Sequence, residues 1–250
     1  MNEATRPPCK PARRCGRGIM NYKIEAKNWL IKIGKFLADL IFPVQCLGCQ
    51  RSGKWLCERC YYQVKSRCLP SPIYLKKSHL LNRLIVPFSY SDPLVRKLIT
   101  VYKYHFVQEI SEILSRLLTD YLKPFFKNID PQNFILIPVP LHKKRLRFRG
   151  FNQSELLAKH ITEEFNLPLA SKILTRCRNT IPQVQLKEKE RQHNIHEAFA
   201  ICKDHSLLEN KIVILLDDVF TSGATLEECA RILRHTSHPR AIWALAVAKG

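Results

Sequence analysis

Four apolar residues, Val213 to Leu216, run directly into two adjacent carboxylates, Asp217 and Asp218, and then into Val219-Phe220-Thr221-Ser222-Gly223-Ala224-Thr225. A short, wholly apolar run of this kind reads as a strand buried on both faces, the pattern of a parallel sheet. Ligands of such sheets gather at the carboxyl ends of the strands, where Asp217 and Asp218 fall. Thr221, Ser222 and Thr225 offer hydroxyls, and Gly223 lets backbone N–H groups close on an anion. Thr225 and Glu228 have the spacing of a capping box, which predicts a helix whose positive N-terminus points at the same place. No Gly-Lys-Ser/Thr follows, so the loop is not a Walker loop. A phosphate on the loop and hydroxyls on the carboxylates describe a sugar phosphate.

A second stretch repeats the logic. Phe134 to Val139 reads as a buried strand that leads through Pro140-Leu141-His142 into a basic loop with Lys143, Lys144, Arg145, Arg147 and Arg149. Such a loop at the end of a strand suits a pyrophosphate, with arginine making bidentate contacts. Asn152 is the expected N-cap of a helix over 152–166 with Leu156, Leu157, His160 and Ile161 inward. Other expected strands are 84–90, 173–176, 198–202, 211–217 and 241–248. Expected helices begin at Asp92-Pro93, run from Ile110 to Phe125, and span 225–235. Strands alternating with helices imply an α/β fold on a parallel sheet with right-handed connections.

The cysteines define a separate unit. Cys46-Leu47-Gly48-Cys49 and Cys57-Glu58-Arg59-Cys60 are two knuckles, each able to put two thiolates on one metal, and four thiolates close a structural zinc site. Cys68 reads as a spare, and Cys177, Cys202 and Cys229 as buried small apolar residues. The expected order is therefore a basic tail over 1–19, an amphipathic helix over 20–45, a zinc module over 46–68, a linker over 69–82 and the α/β domain over 83–250.

Net charge is +20, and the first nineteen residues supply only +4 of it. A field of that size favours phosphate-rich partners. Trp55, Tyr61 and Tyr62 stand among the basic residues of the zinc module, a pattern that suits a single strand of nucleic acid and equally the packing of the small zinc core. No stretch is apolar enough to span a membrane, since Lys32, Lys35 and Asp39 interrupt the best candidate. The first nineteen residues lack the apolar segment of a secretory signal.

The motif from Val213 to Thr225 resembles the PRPP-binding signature of type I phosphoribosyltransferases. The resemblance implies that Thr221, Ser222, Gly223, Ala224 and Thr225 cradle a 5′-phosphate, and that Asp217 and Asp218 hold the ribose hydroxyls directly or through Mg²⁺-bound water. With the cysteine knuckles, Pro138-Val139-Pro140-Leu141-His142 and Arg149-Gly150-Phe151-Asn152-Gln153, the whole resembles the ComF family of competence proteins, over about the last four-fifths of the chain. That family implies a zinc module before a phosphoribosyltransferase-type fold, with Zn²⁺, and Mg²⁺ with PRPP. It implies Lys143, Lys144 and Arg145 on the ligand, with Asp217, Asp218, Arg149 and Arg191 in the catalytic set. Arg176, Gln183, Arg191 and Asn194 then belong to a loop that closes over PRPP. It further implies a cytoplasmic role in DNA uptake and transformation, handling single-stranded DNA beside a helicase-type partner, and a fold that often dimerises. True phosphoribosyl transfer to an unnamed acceptor, or PRPP sensing without turnover, remain alternatives. Fold alone does not choose among them.

Overall fold

The computed structural model describes residues 43–70, 78–104, 107–180, 195–202 and 206–250. The expected tail, nearly all of the amphipathic helix, the middle of the linker, and Gln183, Arg191 and Asn194 lie outside the described residues.

In chain order the main elements are α1 (Glu58–Lys65), β1 (Arg83–Ile85), β2 (Phe88–Ser89), α2 (Pro93–Tyr104), α3 (Ile110–Phe126) and β3 (Phe134–Pro138). There follow α4 (Lys143–Arg149), α5 (Gln153–Phe165), β4 (Leu174–Arg176), β5 (Phe199–Ile201), β6 (Ile212–Phe220), α6 (Ala224–Thr236) and β7 (Ala241–Lys249). The central sheet is wholly parallel, in the order β1, β7, β6, β3, with β2 also on β7. The expected strand over 84–90 is thus two short pieces on one partner. Pro87 has no N–H to give the ladder, and its carbonyl instead accepts from Leu69 N at 2.7 Å.

Burial on both faces explains the apolar runs. Along β6, Ile214 and Leu216 enter the core shared with α2, α3 and α5, while Val213 and Leu215 enter the core beneath α6. The same alternation sends Leu136 of β3 to the first core and Ile135 and Ile137 to the second. β4 and β5, expected among the strands of the main sheet, form an antiparallel pair of their own. Leu174 and Phe199 pack with Leu226 and Leu233 of α6, so the pair covers one face and does not extend the sheet.

Helix starts follow their signals in one case and depart in two. Asp92 caps α2, its Oδ1 accepting from Leu94 N at 2.8 Å and Val95 N at 3.2 Å, with Pro93 in the first position. Asn152 stands at the N-cap of α5, but its side chain donates to Val139 O at 3.1 Å and caps nothing. The capping box at Thr225 does not form. Gly223 is the N-cap of α6, and Glu228 turns to Glu197 N at 2.8 Å and to Arg231. His160, expected inward, is half-buried, because the inward stripe of α5 is Leu157, Ala158 and Ile161. Cys177 and Cys202 are exposed, whereas Cys229 is buried as expected.

The cysteine unit shares the main core. Leu56, Tyr61 and Val64 pack with residues of α2 and α3. At this seat the Tyr61 hydroxyl donates to Asp120 Oδ2 at 2.9 Å, Lys65 Nζ lies 2.6 Å from the same oxygen, and Arg116 sits over the Tyr61 ring at 4.2 Å. Asp120→Ala strands the Tyr61 hydroxyl, at an expected cost of about 1–3 kcal/mol. Urea unfolding checks this, and an unchanged midpoint would mean that apolar packing alone seats the unit.

Candidate functional site

The four thiols come together where the chain turns tightly. The Sγ atoms of Cys46, Cys49, Cys57 and Cys60 all lie within 4.8 Å of one another, and Cys49 and Cys57 are 3.6 Å apart. Four sulfurs at about 2.3 Å from a zinc ion require edges of about 3.8 Å, so the set fits that ion. Gly48 is needed for the approach, because a Cβ there would meet Cys60 Sγ at 2.7 Å. Although burial opposes it, backbone N–H groups of Cys49, Cys57 and Gly48 pull the Cys46 thiol down to about 6. Burial and the neighbouring sulfurs push Cys60 up to about 12. A cluster in which one thiol ionises readily and another resists needs a central cation before all four can be thiolates.

At the carboxyl end of the sheet, β6 delivers Asp217 and Asp218 into a cleft of about 290 Å³ that Lys103, Arg145, Arg149, Arg176, Thr221 and Thr225 also line. The two-residue period of the strand turns Asp218 toward α2, where Lys103 Nζ meets its Oδ1 at 2.7 Å. Burial opposes the charge on Lys103, yet Asp218 holds its pKa above the usual lysine value. Asp217 accepts from its neighbour's backbone N at 2.8 Å and from the Ser154 hydroxyl at 3.3 Å. Burial, followed by the charge of Asp218, pushes the Asp217 carboxyl up to about 7.

The opposite wall is cationic. Arg176 of β4 is buried, places its Cζ 5.2 Å from the centre of the Phe199 ring, and donates through Nη2 to the Thr180 hydroxyl. Its Nε is buried without a hydrogen-bond partner among the described residues. Burial, followed by Arg145, lowers its pKa to about 10. Arg145 donates to the Thr180 carbonyl. Arg149 donates to Gln153 Oε1 at 3.0 Å and lies over the Tyr104 ring at 5.6 Å. One buried guanidinium with two half-buried ones beside it favours an anion between them. In the loop after β6, the Ser222 hydroxyl is also buried without a partner among the described residues. Gly223 has φ 82°, and a Cβ there would meet the Phe220 ring at 2.9 Å.

The expected site residues divide accordingly. Asp217, Asp218, Thr221, Thr225, Arg145 and Arg149 line one cleft, while Ser222, Gly223 and Ala224 form the turn beneath it. The basic loop is the helix α4, and Lys143, Lys144 and Arg147 are exposed away from the cleft lining. Arg191 lies outside the described residues. Sequence reasoning passed over Lys103 and Tyr104. Only their place at the end of the Asp92-capped helix, opposite an acidic pair, could have marked them. A wider apolar hollow, about 580 Å³ at the other end of β3 and β6, holds none of these charged groups.

Two outcomes are expected. Gly48→Ala loosens the metal, so that a colorimetric chelator draws zinc from it several-fold faster than from the parent protein; equal release would show that the turn tolerates a Cβ. An aspartate whose pKa is raised by folding stabilises the fold fully below its unfolded value of 3.8 and loses that contribution as pH rises through about 7. Asp217→Asn therefore gains melting temperature relative to the parent between about pH 5 and pH 8. A difference that stays constant over that window would contradict the raised pKa.

No protein-family model matches the chain. Competence protein F of Haemophilus influenzae is 30% identical over 207 residues, covering 80% of this chain and 89% of that protein. The DNA utilization protein YhgH of Shigella flexneri is 30% identical over 219 residues, covering 87% and 95%. Competence protein ComFC of Bacillus subtilis is 31% identical over 159 residues, covering 64% and 61%. A solved hypoxanthine phosphoribosyltransferase of Staphylococcus aureus overlaps with a TM-score of 0.35 at 14% identity, over 56% of this chain and 64% of its own, too slight a likeness to bear on the site. Identity at this level along nearly the whole of Competence protein F places the chain in the ComF family of competence proteins.

Proposed function

We propose that the cleft binds 5-phosphoribosyl pyrophosphate or a closely related sugar phosphate, and that the protein serves DNA uptake by handling single-stranded DNA. Arg176 carries the first part. It is a buried guanidinium with an orphaned Nε, and it lines the same cleft as a carboxylate pair. In this reading Asp217 and Asp218 accept hydrogen bonds from the two ribose hydroxyls. The turn from Thr221 to Thr225, with the buried Ser222 hydroxyl, receives the 5′-phosphate. Arg145, Arg149 and Arg176 receive the pyrophosphate. Lys103 already neutralises Asp218 at 2.7 Å, so the pair does not suit a bare Mg²⁺. Mg²⁺, where bound, would supply positive charge to the departing pyrophosphate, and Asp217 and Asp218 would meet it through its bound water.

The second part rests on the relatives' names, competence and DNA utilization, and on the net charge of +20. Of the aromatics expected to stack on bases, Tyr61 is buried and Trp55 packs against the core, which leaves Tyr62, 58% exposed. A cytoplasmic setting, a helicase-type partner and self-association belong to the same reading. Among the described residues no helix is long and apolar enough to cross a membrane. Transfer to an acceptor is the second reading. Tyr90 and Tyr104 are among the residues that line the cleft, where a planar acceptor would have aromatic neighbours, and pyrophosphate release in the presence of candidate bases separates the two.

The test is calorimetric titration of zinc-loaded protein with the sugar phosphate and Mg²⁺. Arg176→Ala is expected to weaken binding about 10- to 100-fold, the range for hydrogen bonds to a charged group. Asp217→Asn combined with Asp218→Asn weakens it further. A well-folded parent protein that evolves no heat would end the sugar-phosphate reading.

A further inference from the structure

At the end of the sheet away from the cleft, β3 and β6 begin beside an open hollow of about 580 Å³. Phe134, Ile135 and Ile173, all buried, line it. So do Leu169 and Leu207, which are 36% and 62% exposed and are two of the three exposed leucines among the described residues. The lining also holds two lysines, Lys172 exposed and Lys211 half-buried, and no acid. Lys211 Nζ donates to the Gln132 carbonyl, which fixes its ammonium beside the apolar surface. Neither lysine forms an ion pair among the described residues. Apolar surface left open at a concave place, with a few polar groups around it, is the usual make-up of a small-molecule site.

We propose that this hollow binds a small carboxylic acid with an apolar body, of the class of the medium-chain fatty acids, with its tail against Phe134, Leu169 and Leu207 and its carboxylate on Lys172 and Lys211. Shape, apolar lining and charge each remove an alternative. The volume falls within the range of small-ligand pockets, about 300–1,000 Å³. A sugar phosphate would answer the lysines but leave the leucines in water, and a plain hydrocarbon would do the reverse. An extended peptide adds to a sheet through a free strand edge. Here that edge is taken: Leu136 N donates to the Pro168 carbonyl and its own carbonyl accepts from Ala170 N, both at 2.9 Å. A second copy of the chain would set an identical cationic rim against this one, on a protein of net charge +20. The hollow shares no lining residue with the cleft, so either site can be lost without the other.

The full chain, zinc-loaded, is titrated by calorimetry with hexanoate, octanoate and decanoate, and with 1-octanol as the neutral counterpart. Affinity should rise about fourfold for each added methylene. Lys172→Ala should weaken octanoate about two- to fivefold, the range for an exposed ion pair, and leave 1-octanol unchanged. Leu207→Asp should weaken every acid about tenfold, since it removes apolar surface and adds a like charge. Both side chains are exposed, so both variants should melt as the parent does and keep its sugar-phosphate binding. A parent protein that takes up none of the acids overturns the proposal, as does binding indifferent to chain length. An equal response of acid and alcohol to Lys172→Ala overturns the placing of the carboxylate, and octanoate binding unchanged in Leu207→Asp overturns the site. A dimer in sedimentation that Leu207→Asp dissolves, with no acid bound by the parent, would give the face to a second copy instead.

Discussion

Two carboxylates side by side on one strand, at the edge of an otherwise apolar sheet, set the terms for the rest of the molecule. Asp217 and Asp218 are adjacent, so the strand period sends them to opposite faces, and each face must answer its charge. On one face α2 brings Lys103 to 2.7 Å from Asp218. Asp217 instead draws on the Ser154 hydroxyl and its neighbour's backbone N, with the charge of Arg176 acting on it across the cleft. Partial neutralisation keeps the pair tolerable in a half-enclosed cleft, since unpaired charge with little access to water is costly. It leaves Asp217 with a carboxyl raised to about 7.

A chain of contacts joins this pair to the cysteine centre. Gly48 approaches Cys60 and Leu94, and Leu94 opens the first turn of α2. The other end of α2 carries Lys103. Tyr61 and Lys65 of α1 seat the same unit on α3 through Asp120. A metal that ordered the cysteine turns would therefore also help to order the helix whose end neutralises Asp218. A metal held by the four thiols would support the cleft as well as its own small fold.

Much of this was legible in the sequence because each signal was a local constraint. The apolar run before Asp217, the Asp92-Pro93 start of α2 and the paired cysteines each depend on a few neighbouring residues, and each appears in the structure where expected. The misreadings were tertiary. Glu228 has the spacing of a capping partner, but Glu197 N lies 2.8 Å away and offers a better donor. The stretch after β3 was read as a loop because of its charge. Lys143 to Arg149 nonetheless forms a helix, and its period, invisible in a list of cations, decides which of them line the cleft. Lys103 was missed because it becomes notable only when α2 is laid beside β6.

The stretch from Gly150 to Gln153 shows how a family-like motif can act without touching a ligand. Phe151 packs in the core beside Tyr102, 5.7 Å between ring centres. Asn152 holds the Val139 carbonyl just past the end of β3. Gln153 accepts from Arg149 on its side chain and from the Tyr102 hydroxyl on its backbone carbonyl at 2.8 Å. These are positioning contacts: they tie α2, β3 and α5 together at the point where Arg149 enters the cleft. The arginine is long and flexible, and fixing it costs side-chain entropy that the ligand would otherwise have to supply. Gln153 thus holds the arginine at the cleft, and Asn152 fixes the end of the strand beside it.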